Sequence, residues 1–452
     1  MKVLKFGGTS VGTPESLANV RSIVESQPEP CIVVVSALGG LTDRLIATAE
    51  MAAKGDSTYL QEFDGICARH RKVAESVIPS GFLGDAWDAI RVLLDELGTI
   101  FKAISLLGEL TERSRNLVVS YGERMSHIIV TAMIKDAQPA QSLDFIRTKK
   151  VFEKSVLDAE KSSELIAKNF ERLKDAKTVV VPGFIARDED NRISNLGRGG
   201  SDYTAAILAA ELGADVLEIW TDVDGFMSAD PRVVKEAHVI DRLSFVEAME
   251  LCNFGAKVVY PPTIYPVFHK NIPIVIKNTF NPTAKGTRIS DKSREADDTE
   301  STLGVTAIAD TRLLTLENGS GKMYERMINA LTRNGIETLM PDGKRSCGVR
   351  NADATRAETI LREEFASELV DGTLKSVNIS QKLSTPALVG RRDNSEPSEI
   401  AAALNVEGIP VIHGPQRASG GTIACMVPRE NLNDALRVIH MNFIHNKQNN
   451  NG

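Results

Sequence analysis

The run SNLGRGGSDYTAAIL, Ser194 to Leu208, sets an arginine between glycines and follows it with a serine and an aspartate. Glycines 197, 199 and 200 leave backbone N–H groups open to an anion, and Arg198 can fork onto a carboxylate. Ser201 reads as the cap of the apolar helix that begins there, and Asp202 in its first turn suits the helix dipole. A cap and a dipole explain Ser201 and Asp202, but not an arginine among glycines. Three more clusters are of this kind. KFGGTS places Gly7 and Gly8 after a strand and before a helix, where backbone can close on an anion; Lys5 can hold a transferring phosphoryl group as a point charge. Taken alone, a tight turn with a surface lysine explains that stretch equally well. VSALGGLTD repeats the arrangement with Ser36 and Thr42. WTDVDGFMSADPR and NFGAKV supply Thr221 and Asp222 at a strand end, where a nucleotide sugar or base could be read, and Arg232 and Lys257 as cations for phosphates. DVDG lacks the remaining ligand spacing of a calcium loop. There is no GxxxxGK[ST] loop, no HRD or DFG pair, and no Ser-His-Asp or metal-ligand array.

These clusters need rigid elements behind them. Lys2–Phe6 reads as a strand, and the next helix starts at Pro14 with Thr13 as N-cap and Leu17, Val20, Ile23 and Val24 as its apolar stripe. Cys31–Ala37 is a continuous apolar run, as in a strand buried on both faces. A helix follows from about Arg44 to Lys54, and helical spacing runs from Tyr59 to Lys135, with His70 a packing residue. Strand-like runs return at Thr178–Ala186, Asp215–Val223 and Ile272–Asn278. Strands alternating with helices predict an α/β fold with a mostly parallel sheet covered on both faces. Residues 1–290 form this region, and the charged stretch 291–302 reads as a linker. Over 303–445 the units are smaller: GVTAIADTRLLTLEN, IETLMP, SCGVR, TPALVG, IPVIHG and GTIACMV as strands, with helices between, in two βαββαβ-like modules. The polar tail 446–452 reads as disordered.

The totals limit the function. The 452 residues carry 53 Lys+Arg against 60 Asp+Glu, a net charge of −7, which disfavours nucleic acid as a partner. The five cysteines are scattered and form no CxxC pair, which fits a reducing compartment. MKVLKFGG lacks the apolar core of a signal peptide, and no stretch approaches a membrane span, so a cytoplasmic protein is expected.

KFGGTSVG, GERMS, LGRGGSDYTAA, WTDVDG, DPR, FGAKVVYP and IPIVIKNTFNP together resemble aspartate kinase, of the amino acid kinase superfamily. The match spans the first ~290 residues. ISLLGEL, EIWTDVDG and EAMELCNFGAK are most similar to the kinase half of bifunctional aspartokinase–homoserine dehydrogenases, and the kinase activity alone is implied. The resemblance implies a three-layer αβα kinase domain followed by two ACT-like regulatory modules, one inserted in the other. It implies that Arg198 binds the α-carboxylate of L-aspartate, with Glu123 and Asp202 near the ammonium group and Ser36, Thr42 and Ser201 in the substrate site. Lys5 and Asp202 would be catalytic. Lys5, Phe6, Gly7, Gly8, Thr221, Asp222, Met227, Arg232 and Lys257 would hold ATP, with Mg²⁺ bridging phosphates. The product would be the acyl phosphate that opens lysine, threonine and methionine synthesis. Met227 departs from the family, which often carries tyrosine there. At most one effector site, for lysine or threonine, is expected near Gly319, Gly321 and Met323, since Arg391 and Arg392 occupy the second module's turn. Weak or absent inhibition and a homodimer through these modules follow. The alternatives are another kinase of the superfamily, acting on glutamate, uridylate or carbamate, or a non-catalytic amino-acid sensor.

Overall fold

The computed structural model describes residues 1–151, 154–291, 304–390, 396–418 and 421–445. Most of the 291–302 stretch, the Arg391–Arg392 turn and the 446–452 tail lie outside the described residues. The chain forms two compact units, Met1–Gly225 with Val259–Asp291, and Phe226–Val258 with the described residues from 304 onward. Phe226–Val258 therefore groups with the C-terminal region, although the sequence places it within 1–290.

In the first unit the strand order is Thr287–Ile289, Ile274–Asn278, Val216–Thr221, Lys2–Phe6, Cys31–Val35, Thr178–Pro182, Gln138–Pro139. Pairing is parallel except for Thr287–Ile289. Every residue of CIVVV and of TVVVP is buried. β-branched side chains fill both faces of a central strand well, and this produces the continuous apolar runs. The register aligns the strand ends: Phe6 with Val35 and Trp220, Val35 with Pro182, and Thr221 with Asn278. The polar clusters that follow these residues thus share one edge of the sheet, where ligands of open α/β sheets bind.

The helices position the loops. Pro14–Glu25 is preceded by a capping box in which Thr13 accepts from Ser16 N–H and Ser16 accepts from Thr13 N–H. The next helix starts at Leu41 rather than near Arg44, because Gly40 in left-handed geometry ends the loop there. The long helical region resolves into Tyr59–Val77, Ser80–Leu107 and Glu112–Met133. His70 is buried, with Nδ1 at 2.8 Å from Ile66 O, as a packing role requires. The expected strand Thr178–Ala186 is two, Thr178–Pro182 and Ile185–Arg187, broken at Phe184 with its φ of 66°.

The second unit is one antiparallel sheet. Its order is Ser346–Arg350, Gly304–Glu317, Leu383–Val389, Ile423–Pro428, His413–Arg417, and Ser376–Ile379 also pairs with Gly304–Glu317. The 14-residue Gly304–Glu317 strand serves both modules. Val305 belongs to a core with Ile400, Leu404 and Leu436; Leu314 and Leu316 belong to one with Met327, Leu361 and Phe365. That is the expected sharing of a module, built on one continuous strand. IETLMP is not a strand; only Leu339 bridges, to Gly348. IPVIHG is displaced to His413–Arg417, and Ser376–Ile379 has no counterpart in the sequence reading. Among the described residues no helix is long and apolar enough to cross a membrane.

Candidate active site

Lys5 lies one residue before the end of its strand, and its Nζ sits over the first glycine loop: a Cβ on Gly7 would come within 3.3 Å of it. From there it reaches Asp202 Oδ1 at 2.5 Å, the side chains being 11% and 13% exposed. Asp202 stands in the first turn of the Gly200–Glu211 helix. One nearly buried ion pair thus joins the KFGG loop to the LGRGGSD segment.

Ser201 does not cap that helix. The cap is Gly199, at φ 67°, and its Cβ position is filled by the Tyr260 side chain 2.3 Å away, so only glycine fits. Ser201 is buried instead against Gly183, just past the end of the Thr178–Pro182 strand, where an added Cβ would meet Ser201 at 2.6 Å. Arg198 between Gly197 and Gly199 is exposed and makes no hydrogen bond or ion pair among the described residues. Its loop is tied down by Asn195, whose Oδ1 accepts from Gly197 N–H (2.9 Å) and whose Nδ2 donates to Asn116 Oδ1 (2.8 Å).

The loops after Phe6 and Val35 touch. An added Cβ on Gly39 would stand 2.9 Å from Gly8 O. Ser36 N–H donates to Phe6 O at 3.2 Å, and Thr42 is the second residue of the Leu41–Ala53 helix, half-buried. Glu123 enters from the Glu112–Met133 helix, whose neighbouring Gly122 packs against Ala37. Its carboxyl accepts the Ala37 N–H, and its Oε2 has no hydrogen-bond partner among the described residues. Burial pushes its pKa up to about 8.

This carries a pH dependence. The folded protein keeps the Glu123 proton to about pH 8, whereas an unperturbed glutamate loses it near 4.5. Between these values the native state binds the more protons, so stability falls as pH rises, and below 4.5 the cost vanishes. Glu123→Gln is expected to flatten this window: the unfolding midpoint of the wild type should drop more between pH 5 and pH 8 than that of the variant. Parallel slopes in thermal melts would rule the buried acid out as the cause.

Thr221 and Asp222 follow the Val216–Thr221 strand. Thr221 Oγ1 donates to Asp222 Oδ1 at 3.1 Å, and the Asp222 side chain is exposed. Asn278 and Asn281 hold Asp224 at 2.8 and 3.2 Å, which fixes the loop beyond. Phe6 is fully buried and stacked on Trp220 at 5.9 Å, so its side chain is core and only its backbone faces the loop. Met227, Arg232 and Lys257 belong to the second unit. There Met227 bridges to Val239, Lys257 is exposed, and the Arg232 guanidinium is engaged by Asp230 at 2.7 Å rather than left free. Asn116, Asn195 and Arg69, all in contact with the loops, carry no local sequence signal.

A strand-end glycine loop with a buried lysine is thus tied to a segment whose arginine has no hydrogen bond or ion pair among the described residues. The amino acid kinase family model matches residues 1–278, more than half of the chain, and the chain belongs to this family. Within it the similarity is to aspartokinases. The chain is 30% identical to lysine-sensitive aspartokinase 3 of Escherichia coli over 98% of both proteins. It is 32% identical to the chloroplastic bifunctional aspartokinase/homoserine dehydrogenase 1 of Zea mays over 98% of this chain, and spans 50% of that relative. The crystal structure of E. coli aspartokinase III in complex with aspartate and ADP superposes with a TM-score of 0.82 at 26% identity, covering 98% of this chain and 99% of the other.

Proposed function

We propose that this chain is an aspartate kinase, transferring the γ-phosphoryl group of ATP to the side-chain carboxylate of L-aspartate to give 4-phospho-L-aspartate and ADP. The observation that carries this is the Lys5–Asp202 pair, which fastens the phosphate-type loop to the segment that presents Arg198. Support comes from the likeness to an aspartokinase crystallised with aspartate and ADP.

The nucleophile is already an anionic carboxylate, so no strong base is needed. The barrier lies in bringing two anions together, and catalysis is positioning plus charge neutralisation. Arg198 takes the α-carboxylate with two parallel N–H donors. Asp202 is the anionic group for the ammonium, and Glu123, protonated to about pH 8 in the free protein, would ionise as the ammonium binds beside it. Ser36, Thr42 and Ser201 lie around the side-chain carboxylate. Gly8 offers its backbone N–H to the phosphates, while Gly7, whose own N–H donates to Trp220 O at 3.2 Å, lets the loop turn beneath them. Lys5 neutralises charge on the phosphoryl group in flight, and Thr221 and Asp222 hold the nucleoside. Mg²⁺ would arrive with the nucleotide and would supply further charge neutralisation, since no cluster of metal-ligating side chains stands among the described residues to hold it independently. The test is ATP consumption against aspartate, glutamate, uridylate and carbamate, with hydroxylamine trapping the acyl phosphate. An aspartate-dependent hydroxamate supports the proposal; preference for another acceptor overturns it.

The second unit gives the regulatory part of the proposal. Ser320 caps the Gly321–Arg333 helix by accepting from Met323 N–H, so the loop through Gly319 offers a helix N-terminus to an effector carboxylate. Across from it, Asp342 Oδ1 already accepts the N–H groups of Lys344, Arg345 and Ser346 at 2.8–2.9 Å. Three of the turn's backbone donors are thus taken by its own carboxylate, which favours at most one weak site for lysine or threonine, in a homodimer formed through this unit. Calorimetry with each amino acid is expected to show no more than one weak site per chain; tight binding at two sites refutes this.

A further inference from the structure

The two loops that carry the reactants are held together from behind by a residue outside both. Arg69 lies on the Tyr59–Val77 helix, half-buried. Its Nη2 donates to Gly12 O at 3.1 Å and to Gly39 O at 2.8 Å. Gly12 closes the loop after the Lys2–Phe6 strand, and Gly39 lies in the loop after Cys31–Val35. One nitrogen therefore bridges the phosphate-type loop and the loop between Ser36 and Thr42. The helix that carries Arg69 is anchored in turn: Arg44 pairs with Glu62 at 3.0 Å and packs against Gly65.

We propose that Arg69 is a positioning residue for phosphoryl transfer, setting the separation and orientation of the Gly7–Gly12 and Leu38–Gly40 loops. The inference rests on the aspartate-kinase reading of those loops. A peptide unit is planar and trans, so holding Gly39 C=O toward Arg69 turns the Gly40 N–H the opposite way, at the start of the Leu41–Ala53 helix. The loops lie so close that a Cβ added at Gly39 would stand 2.9 Å from Gly8 O, so a side chain has no space between them. Without the bridge the two loops lose their common anchor on the Tyr59–Val77 helix. A reacting pair misplaced by about 1 Å loses about 10²-fold in rate, while each substrate keeps its own binding contacts. The signature is therefore a loss in kcat with both KM values nearly unchanged.

Arg69→Ala is expected to lower kcat about 10- to 100-fold, with the KM for ATP and for aspartate each within about threefold of wild type. Arg69→Lys retains one nitrogen able to donate to both carbonyls and should recover turnover to within about fivefold of wild type. Gly39→Ala, which leaves Arg69 intact but presses a methyl on Gly8 O, should reproduce the kcat loss; it decides the matter if Arg69→Ala does not fold. Unchanged kcat in folded Arg69→Ala, or a loss carried by one KM alone, overturns the positioning role while the wild type still forms the hydroxamate. A wild type that forms no aspartyl hydroxamate overturns the functional reading and this inference with it.

Discussion

Lys5→Ala is expected to lower kcat by about 10²–10³ while leaving aspartate binding nearly intact. Removing one preorganised donor from a site of developing charge costs about 3–4 kcal/mol, and a charged donor costs at least as much. Lys5 is suited to this role by its placement. Its strand is central in the sheet, its Nζ lies over Gly7, and its approach to Asp202 fixes the ammonium instead of leaving it on a mobile stem. The alanine variant also strips Asp202 of its cation, so Lys5→Met, which keeps the stem, separates lost packing from lost charge. Both variants should bind aspartate in calorimetry and fail in single-turnover phosphoryl transfer. Wild-type kcat in either folded variant would remove Lys5 from the mechanism.

The parts of this site that were legible in the sequence are those set by local backbone chemistry. CIVVV, short and rich in β-branched residues, reads as a strand buried on both faces, and glycines directly after such strands mark loops that approach a ligand. Lys5, Asp202 and Arg198 were readable because they sit within those loops or one residue away. Ser201 was misread because a serine before an apolar run is normally a cap. Here Gly199 takes left-handed geometry under Tyr260, the cap falls two residues early, and the serine turns inward. Arg69 and Asn116 were invisible for a different reason. Each lies on an amphipathic helix whose stripe explains the segment fully, and each contacts a loop 30 or more residues away in sequence. The strand pattern of the second unit failed at IETLMP and IPVIHG because an edge position there is decided by what pairs with it, not by the apolar content of the run. The buried state of Glu123 depends on the packing of Gly122 against Ala37, a contact between a helix and a strand end that no spacing rule encodes.

Arg198→Lys is expected to raise the KM for aspartate about 10- to 100-fold and to leave the KM for ATP nearly unchanged. The magnitude follows from hydrogen bonds to charged groups, worth about 1.5–3 kcal/mol each, of which lysine can restore the charge but not the fork. Arg198 is the residue for which the structure makes this separation sharpest. It is exposed, it engages no acid among the described residues, and it sits between two glycines of positive φ. The guanidinium makes no hydrogen bond or ion pair among the described residues, so the substitution should cost the folded protein little, and the loss should appear in substrate binding. The Asn195–Asn116 link fixes the loop from the far side, so the lysine variant keeps the same backbone and tests the side chain alone. Steady-state kinetics with each substrate varied in turn reads the result. If the ATP KM rose instead, Arg198 would belong to the nucleotide, and the assignment of the two loops to the two reactants would have to be exchanged.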